Sequence, residues 1–166
     1  MSINIIVAVS ENNIIGYNGS LPWNIEIDKK YFLEKIKDGI IIEGSKTYIK
    51  RGHSLKNTYK TIMLSKTINS SNYKITDNNL LIMNNLIDAI KSAKVFNREI
   101  WICGGEDIYK ESIRLANKLY ITNIYNTVNG DRYFIENWRD YFTKLICKSQ
   151  IINENNYKFD FEIYEN

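Results

Sequence analysis

The sequence predicts an α/β fold: a mixed β-sheet, mostly parallel, finished by an antiparallel C-terminal hairpin and carrying helices on both faces. Three observations carry this. The opening run Ile3–Val9 is almost wholly apolar and β-branched, as in a strand buried on both faces. Two strand-to-helix turns share one plan, Ile40–Glu43 followed by Gly44-Ser45-Lys46-Thr47, and Ile100–Cys103 followed by Gly104-Gly105-Glu106-Asp107. Near the end, Tyr157, Phe159, Phe161 and Ile163 alternate with Lys158, Asp160 and Glu162, the period of a half-buried strand.

In chain order, Ser10–Trp23 is expected as a long loop, with glycines at 16 and 19 and the only proline at Pro22. A helical pattern follows from about Glu26 to Lys37, then the strand Ile40–Glu43 and a short helix. Thr61–Ser65 and Leu80–Met83 read as strands, Leu86–Ala93 as a helix, and the helix after Gly105 should run to about Leu115. Leu119–Tyr125 is strand-like, and Phe142–Ile152 is the expected partner of the last strand, turning through Asn153–Asn156. The other asparagine clusters, Asn69–Asn72 and Asn78–Asn79, read as loops, and no internal repeat is present.

At 166 residues, with 44% hydrophobic and 25% charged residues, the chain is expected to form one domain over 1–166, burying roughly two-thirds of its unfolded surface. The net charge of +3 is spread without a basic block, so no nucleic-acid footprint is expected. The start lacks a charged n-region and its apolar run breaks at Ser10–Asn13, so neither signal peptide nor membrane span is expected, and cytoplasm is the default. Cys103 and Cys147 lie far apart and His53 is the single histidine, so no metal site is expected. Chemistry must come from carboxylates, hydroxyls or a cofactor.

Asp28 stands three residues after Ile25, four before Phe32 and eight before Ile36, which puts a carboxylate on the apolar face of its helix. An exposed acid in a first helical turn would have the same spacing; the glycine-bearing loop ahead of it is what favours a ligand contact. The two glycine turns offer free N–H groups at helix starts, hence two seats for phosphate, though ordinary polar caps look alike. Ser65-Lys66, at a strand end between them, could serve a third phosphate or be merely solvated. No Gly-x-Gly-x-x-Gly occurs, against a conventional dinucleotide fold.

From end to end the chain resembles dihydrofolate reductase. The likeness rests on the opening strand with Ala8, Ile15-Gly16, Asn18-Gly19-Ser20-Leu21-Pro22-Trp23, Asp28 followed by Phe32, and Gly44-Ser45-Lys46-Thr47-Tyr48. It continues through Leu64-Ser65-Lys66, Cys103-Gly104-Gly105-Glu106-Asp107-Ile108-Tyr109, Leu119-Tyr120-Ile121-Thr122, Gly130-Asp131, Phe134 and Phe161-Glu162-Ile163. The resemblance implies a monomer that reduces 7,8-dihydrofolate with NADPH, hydride going to C6 of the pterin and a proton to N5. It implies that Asp28 anchors the pterin, Thr122 bonds that carboxylate, Trp23 holds an ordered water and Leu21 sits in a loop closing over the nicotinamide. Ile6, Val7, Ala8, Phe32, Leu55, Cys103 and Tyr109 would line the substrate pocket. For the cofactor it implies Ala8, Ile15, Gly16, Asn18, Gly19, Ser20, Leu21, Gly44, Ser45, Lys46, Thr47, Leu64, Ser65, Lys66, Cys103, Gly104, Gly105, Glu106, Asp107, Ile108 and Tyr109. Within that set, Lys46 and Thr47 meet the pyrophosphate, Ser65 and Lys66 the 2′-phosphate.

The chain also departs from the family. Where an arginine usually clamps the glutamate tail of folate, the run is Gly52-His53-Ser54-Leu55-Lys56-Asn57-Thr58-Tyr59-Lys60, and an ammonium does not replace a guanidinium fork. Ser45 stands where an arginine is frequent, and Lys29 and Arg51 where apolar residues are common; both are expected at the pocket mouth, offering charge to the tail. Two other readings remain open at this level: an NADPH-dependent pyrimidine reductase of the riboflavin-synthesis type, and a non-catalytic NADPH- or folate-binding module.

Overall fold

The computed structural model describes all residues, 1–166. In chain order its elements are β1 (Ile3–Ser10), β2 (Ile14–Gly16), α1 (Glu26–Lys35), β3 (Ile40–Gly44), α2 (Ser45–Arg51), β4 (Lys60–Leu64), β5 (Leu80–Met83) and α3 (Leu86–Lys94). There follow β6 (Ile100–Ile102), α4 (Glu106–Ser112), β7 (Lys118–Ile124), β8 (Arg132–Tyr133), β9 (Lys144–Lys148), β10 (Ile152–Glu154) and β11 (Tyr157–Glu165). The nine-stranded main sheet has the order β10-β11-β7-β1-β6-β3-β4-β5, with β9 also on β11. Pairing is parallel from β7 to β5 and antiparallel around β11, as the sequence predicts.

β1 lies inside the sheet and is covered on both faces, which is why its sequence is nearly all apolar. Ile5 and Val7, with Ile42, Ile102, Leu119 and Ile121 of neighbouring strands, pack on one face against Leu86, Ala89, Ile90 and Ala93 of α3 and Ile108 of α4. On the opposite face Ile6, Ile41 and Trp101 meet Ile36 and Phe32 at the end of α1, and Tyr48 of α2 covers Met63 and Leu80. The carboxyl ends of β1, β3 and β6 lead into the loop before α1, into α2 and into α4, and this is the end of the sheet at which folds of this kind bind ligands.

Several expected boundaries move, each for a local reason. The loop Ser10–Trp23 contains β2, which pairs with β8; a Cβ on Gly130 would come within 2.2 Å of Ile14 Cγ2, so glycine there permits the approach. α1 stops at Lys35 rather than Lys37, because the chain turns through Asp38 at φ 58° into Gly39, where a Cβ would meet the Trp101 ring at 2.5 Å. α4 stops at Ser112 rather than Leu115, and both Leu115 and Ala116 donate to the Ser112 carbonyl. The expected single strand Phe142–Ile152 is two strands, β9 and β10, and Phe142 is buried in the core ahead of them. Ser149 breaks it: its Oγ accepts the Phe161 N–H at 2.9 Å in place of a ladder bond. Asn153 belongs to β10, and the hairpin turns at Asn155 and Asn156, both with positive φ.

Candidate active site

Asp28 is the one fully buried residue of α1, at 8% exposure. Its Oδ1 accepts the Thr122 hydroxyl of β7 at 2.7 Å. Burial raises its pKa above the ordinary value, Thr122 pulls it back, and the Glu154 carboxylate pushes it up again. The helix start is organised from a distance: α1 has no side-chain cap of its own, and the Glu154 carboxylate accepts the N–H groups of Glu26 (2.5 Å) and Ile27 (2.9 Å). Beside Asp28, Tyr31 stacks on Phe161 at 4.0 Å.

The floor of the cleft follows from register. Ala8 pairs with Thr122 and Ile6 with Tyr120, so Ile6, Ala8 and Thr122 share one face. Cys103 follows the Ile102–Ile5 pairing, and it packs with Phe32 and Leu55 against Ile6. Burial raises the Cys103 thiol well above its usual range, the Glu43 carboxylate adds to this, and Arg51 opposes it; Cys103 is a packed wall and not a nucleophile. Val7 turns its side chain into the opposite core, leaving only its main chain toward the cleft. Tyr109 also packs in that core, and its hydroxyl donates to the Ile6 carbonyl at 2.8 Å.

Trp23 is 5% exposed, and its indole N–H has no protein partner. A buried donor of this kind is ordinarily met by water. The loop before it is tied on two sides. Asn18 N–H donates to the Asp131 carboxylate at 3.2 Å; Lys50 of α2 donates to Ser20 Oγ at 2.5 Å and to the Asn18 carbonyl at 3.4 Å. Leu21, beyond these ties, is 51% exposed, and Ile15 and Gly16 lie in β2.

The two glycine turns are joined directly, Gly44 N–H donating to the Gly104 carbonyl at 2.8 Å. Gly44 and Gly105 start α2 and α4, and neither helix has a side-chain cap, so the N–H groups at both starts stay free of capping side chains. The Gly104–Gly105 peptide is cis, Gly104 has φ 98°, and a Cβ on Gly105 would stand in open space. Lys46, Thr47 and Lys66 are exposed, whereas Ser45 and Leu64 are half-buried. Ser65 Oγ accepts the Ile68 N–H at 2.9 Å. Glu106 takes hydrogen bonds from Lys110 and from the Tyr133 N–H, Asp107 is exposed, and Ile108 is buried beside Gly44.

Two residues expected to offer charge at the mouth are engaged elsewhere, and three residues of the site were missed. Arg51 does not offer a free charge at the mouth: both its Nη atoms bond the Glu43 carboxylate, which is 1% exposed. Lys29 is occupied by Glu26 and Asn24. Glu43 had a visible signal, an acid closing the apolar run Ile40–Ile42. Glu154 and Lys50 had none, since their partners lie far along the chain.

A family model for dihydrofolate reductase matches residues 2–166. The dihydrofolate reductase of Buchnera aphidicola subsp. Acyrthosiphon pisum is 36% identical over 168 residues, 98% of this chain and 98% of its own length. That of Staphylococcus haemolyticus is 30% identical, covering 99% of this chain and 96% of its own. A solved dihydrofolate reductase from Enterococcus faecalis, complexed with NADP(H) and RAB-propyl, matches with TM-score 0.84 and 29% identity, covering 99% of this chain and 95% of that one.

Proposed function

The chain belongs to the dihydrofolate reductase family, and from that premise we propose how its own residues carry out the NADPH-dependent reduction of 7,8-dihydrofolate to 5,6,7,8-tetrahydrofolate. The single observation that carries the proposal is the buried Asp28 carboxylate, held by Thr122 over the floor formed by Ile6, Ala8 and Cys103. A carboxylate so placed accepts two parallel hydrogen bonds, from the pterin 2-amino group and N3, and fixes the ring against that floor. Phe32 and Leu55 supply the apolar walls.

The residues present fit NADPH. Uncapped N–H groups at Ser45–Thr47, with Lys46 beside them, suit a pyrophosphate, and those after Gly105 suit further phosphate. Lys66 is exposed and unpaired beside Ser65, which suits a 2′-phosphate and favours NADPH over NADH. When bound there, NADPH would supply the hydride for C6 of the pterin. The protein's part is orientation and proton handling. The unpartnered Trp23 N–H holds a water, and the raised pKa of Asp28 lets that side chain favour proton delivery through such a water to N5. Leu21 and the loop tied by Asp131 and Lys50 exclude bulk solvent.

These groups form a site complete within one domain over 1–166, which supports a monomer acting on small molecules; no helix is long and apolar enough to cross a membrane. Substrate and cofactor are both small water-soluble molecules, which supports a cytoplasmic location on this reading. Relatives named dihydrofolate reductase along the whole chain do not favour the pyrimidine-reductase reading. In the test, purified protein consumes NADPH only when dihydrofolate is added, and Asp28→Asn lowers that rate by roughly 10²–10⁴. Wild-type protein without dihydrofolate-dependent turnover overturns the proposal.

A further inference from the structure

A second carboxylate lies under the same cleft, and the reaction does not use it. Glu43 and Cys103 follow the paired residues Ile42 and Ile102 on β3 and β6, so they stand side by side on the face that carries Ile6. The Glu43 side chain is 1% exposed and is met end-on by both Nη atoms of Arg51, whose side chain is 20% exposed. The Arg51 Nε donates to the His53 carbonyl at 2.8 Å, so every nitrogen of this guanidinium is engaged.

That engagement bears on the substrate. Phe32 of α1 and Leu55, just after α2, both pack on the Ile6 side of the sheet, the face to which Thr122 holds Asp28, so on the proposed function the 6-substituent of a pterin anchored at Asp28 would pass between them. In dihydrofolate that substituent ends in a glutamate with two carboxylates. The chain has five arginines, and the other four are elsewhere: Arg98 lies over Tyr59, Arg114 over Tyr141, Arg139 over Trp138, and Arg132 in β8. Among the nearby lysines, Lys29 is held by Glu26 and Asn24, Lys35 lies over the Tyr31 and Tyr120 rings, and Lys60 donates to the Asn78 carbonyl. Lys56 is exposed and offers a hydrated point charge without a fork. Thr58 donates to the Leu55 carbonyl at 2.7 Å.

We propose that the Glu43–Arg51 pair determines substrate specificity: it withdraws the groove's one guanidinium from the anionic tail, so the enzyme reduces 7,8-dihydropterins with a short neutral 6-substituent nearly as well as dihydrofolate. The inference rests on the function proposed above and deepens it. Glu43 sets the preference by neutralising Arg51, and a tail carboxylate would have to displace a partner that is already buried and bidentate.

The test compares kcat/KM for 7,8-dihydrofolate and for 6-methyl-7,8-dihydropterin at saturating NADPH. In the wild type the two values lie within about tenfold, a difference of about 1.4 kcal/mol. Glu43→Gln removes the charge that neutralises Arg51 and one of its two acceptors, and shifts the ratio toward dihydrofolate by about tenfold or more, chiefly through KM, the size expected of a hydrogen bond to a charged group. Thr58→Arg leaves the pair intact, adds a guanidinium at the mouth and shifts the ratio the same way, so a Glu43 variant that fails to fold does not shield the idea. A wild-type preference for dihydrofolate of about 100-fold or more, or a ratio unmoved by both variants, overturns the inference and leaves the proposed function standing. Turnover of neither substrate overturns both.

Discussion

Asp28 shows how a residue declares its role through cost. A carboxylate buried in a helix that otherwise keeps its residues at least partly exposed carries a desolvation penalty, and Thr122 offsets only part of it, so the group is held above its ordinary pKa in readiness for a ligand. That position was legible in the sequence, because the spacing to Ile25, Phe32 and Ile36 already placed the acid on the inward face. Trp23 was not: without the family resemblance an indole beside a proline reads as core, and only the structure exposes its unpartnered N–H. Trp23→Phe removes that donor while breaking no protein hydrogen bond. Chemical denaturation should therefore change by less than about 1 kcal/mol, whereas dihydrofolate turnover should fall about tenfold or more as the water loses its anchor. Equal losses of stability and turnover would make Trp23 a packing residue only.

At the scale of elements, α1 lacks the local signals that normally define a helix start. Ile25 stands at the cap position without a side-chain hydrogen bond, and the free N–H groups are satisfied from β10 by Glu154. The hairpin tip adds Asn155 to the Asn24 carbonyl and Tyr157 to the Pro22 carbonyl, so the last strands brace the segment that carries Trp23 and Asp28. Nothing within a short window of sequence reveals a cap 128 residues away, which is why the element was legible and its support was not. Glu154→Gln should cost about 1 kcal/mol of stability through the weakened cap. It should also lower the Asp28 pKa, since a like charge that raises it is gone. The pH midpoint for the Asp28-dependent step should move down; an unmoved midpoint with an intact fold would mean that Glu154 acts on the helix alone.

For the whole molecule, periodicity placed the sheet well where both faces are buried and poorly where a strand meets solvent or another loop. Ile3–Val9 and Ile40–Glu43 were readable because α1 to α4 cover those strands and demand apolar residues, whereas Leu80–Met83, at the sheet edge with only Leu80 buried, was readable from its short apolar run alone. β2, β8 and the break at Ser149 depend on pairings and side-chain bonds that no alternation encodes. The same long-range bonding decides how the fold responds to acid. Burial raises Glu99, Glu162 and Asp77, but in each case hydrogen bonds to the charged form outweigh it: Ser2 and Asn4 at Glu99, Lys148 and Tyr164 at Glu162, and Ser54, Asn79 and Tyr48 at Asp77, which is held at about 2. A carboxylate with a depressed folded pKa stabilises the native state above its unfolded value and loses that contribution as pH falls through the folded one. Asp28 has the opposite sign, gaining relative stability on acidification, but it is one group against these three and Glu106, which the hydrogen bond from Lys110 also holds low. Stability should therefore decline from about pH 5 downward, most steeply toward about pH 2. Asp77 ties α2 to the following loop and to the start of β5, so Asp77→Asn should lower stability near neutral pH and flatten the acid limb of a urea-midpoint series. An acid limb of unchanged slope in that variant would remove Asp77 from the account.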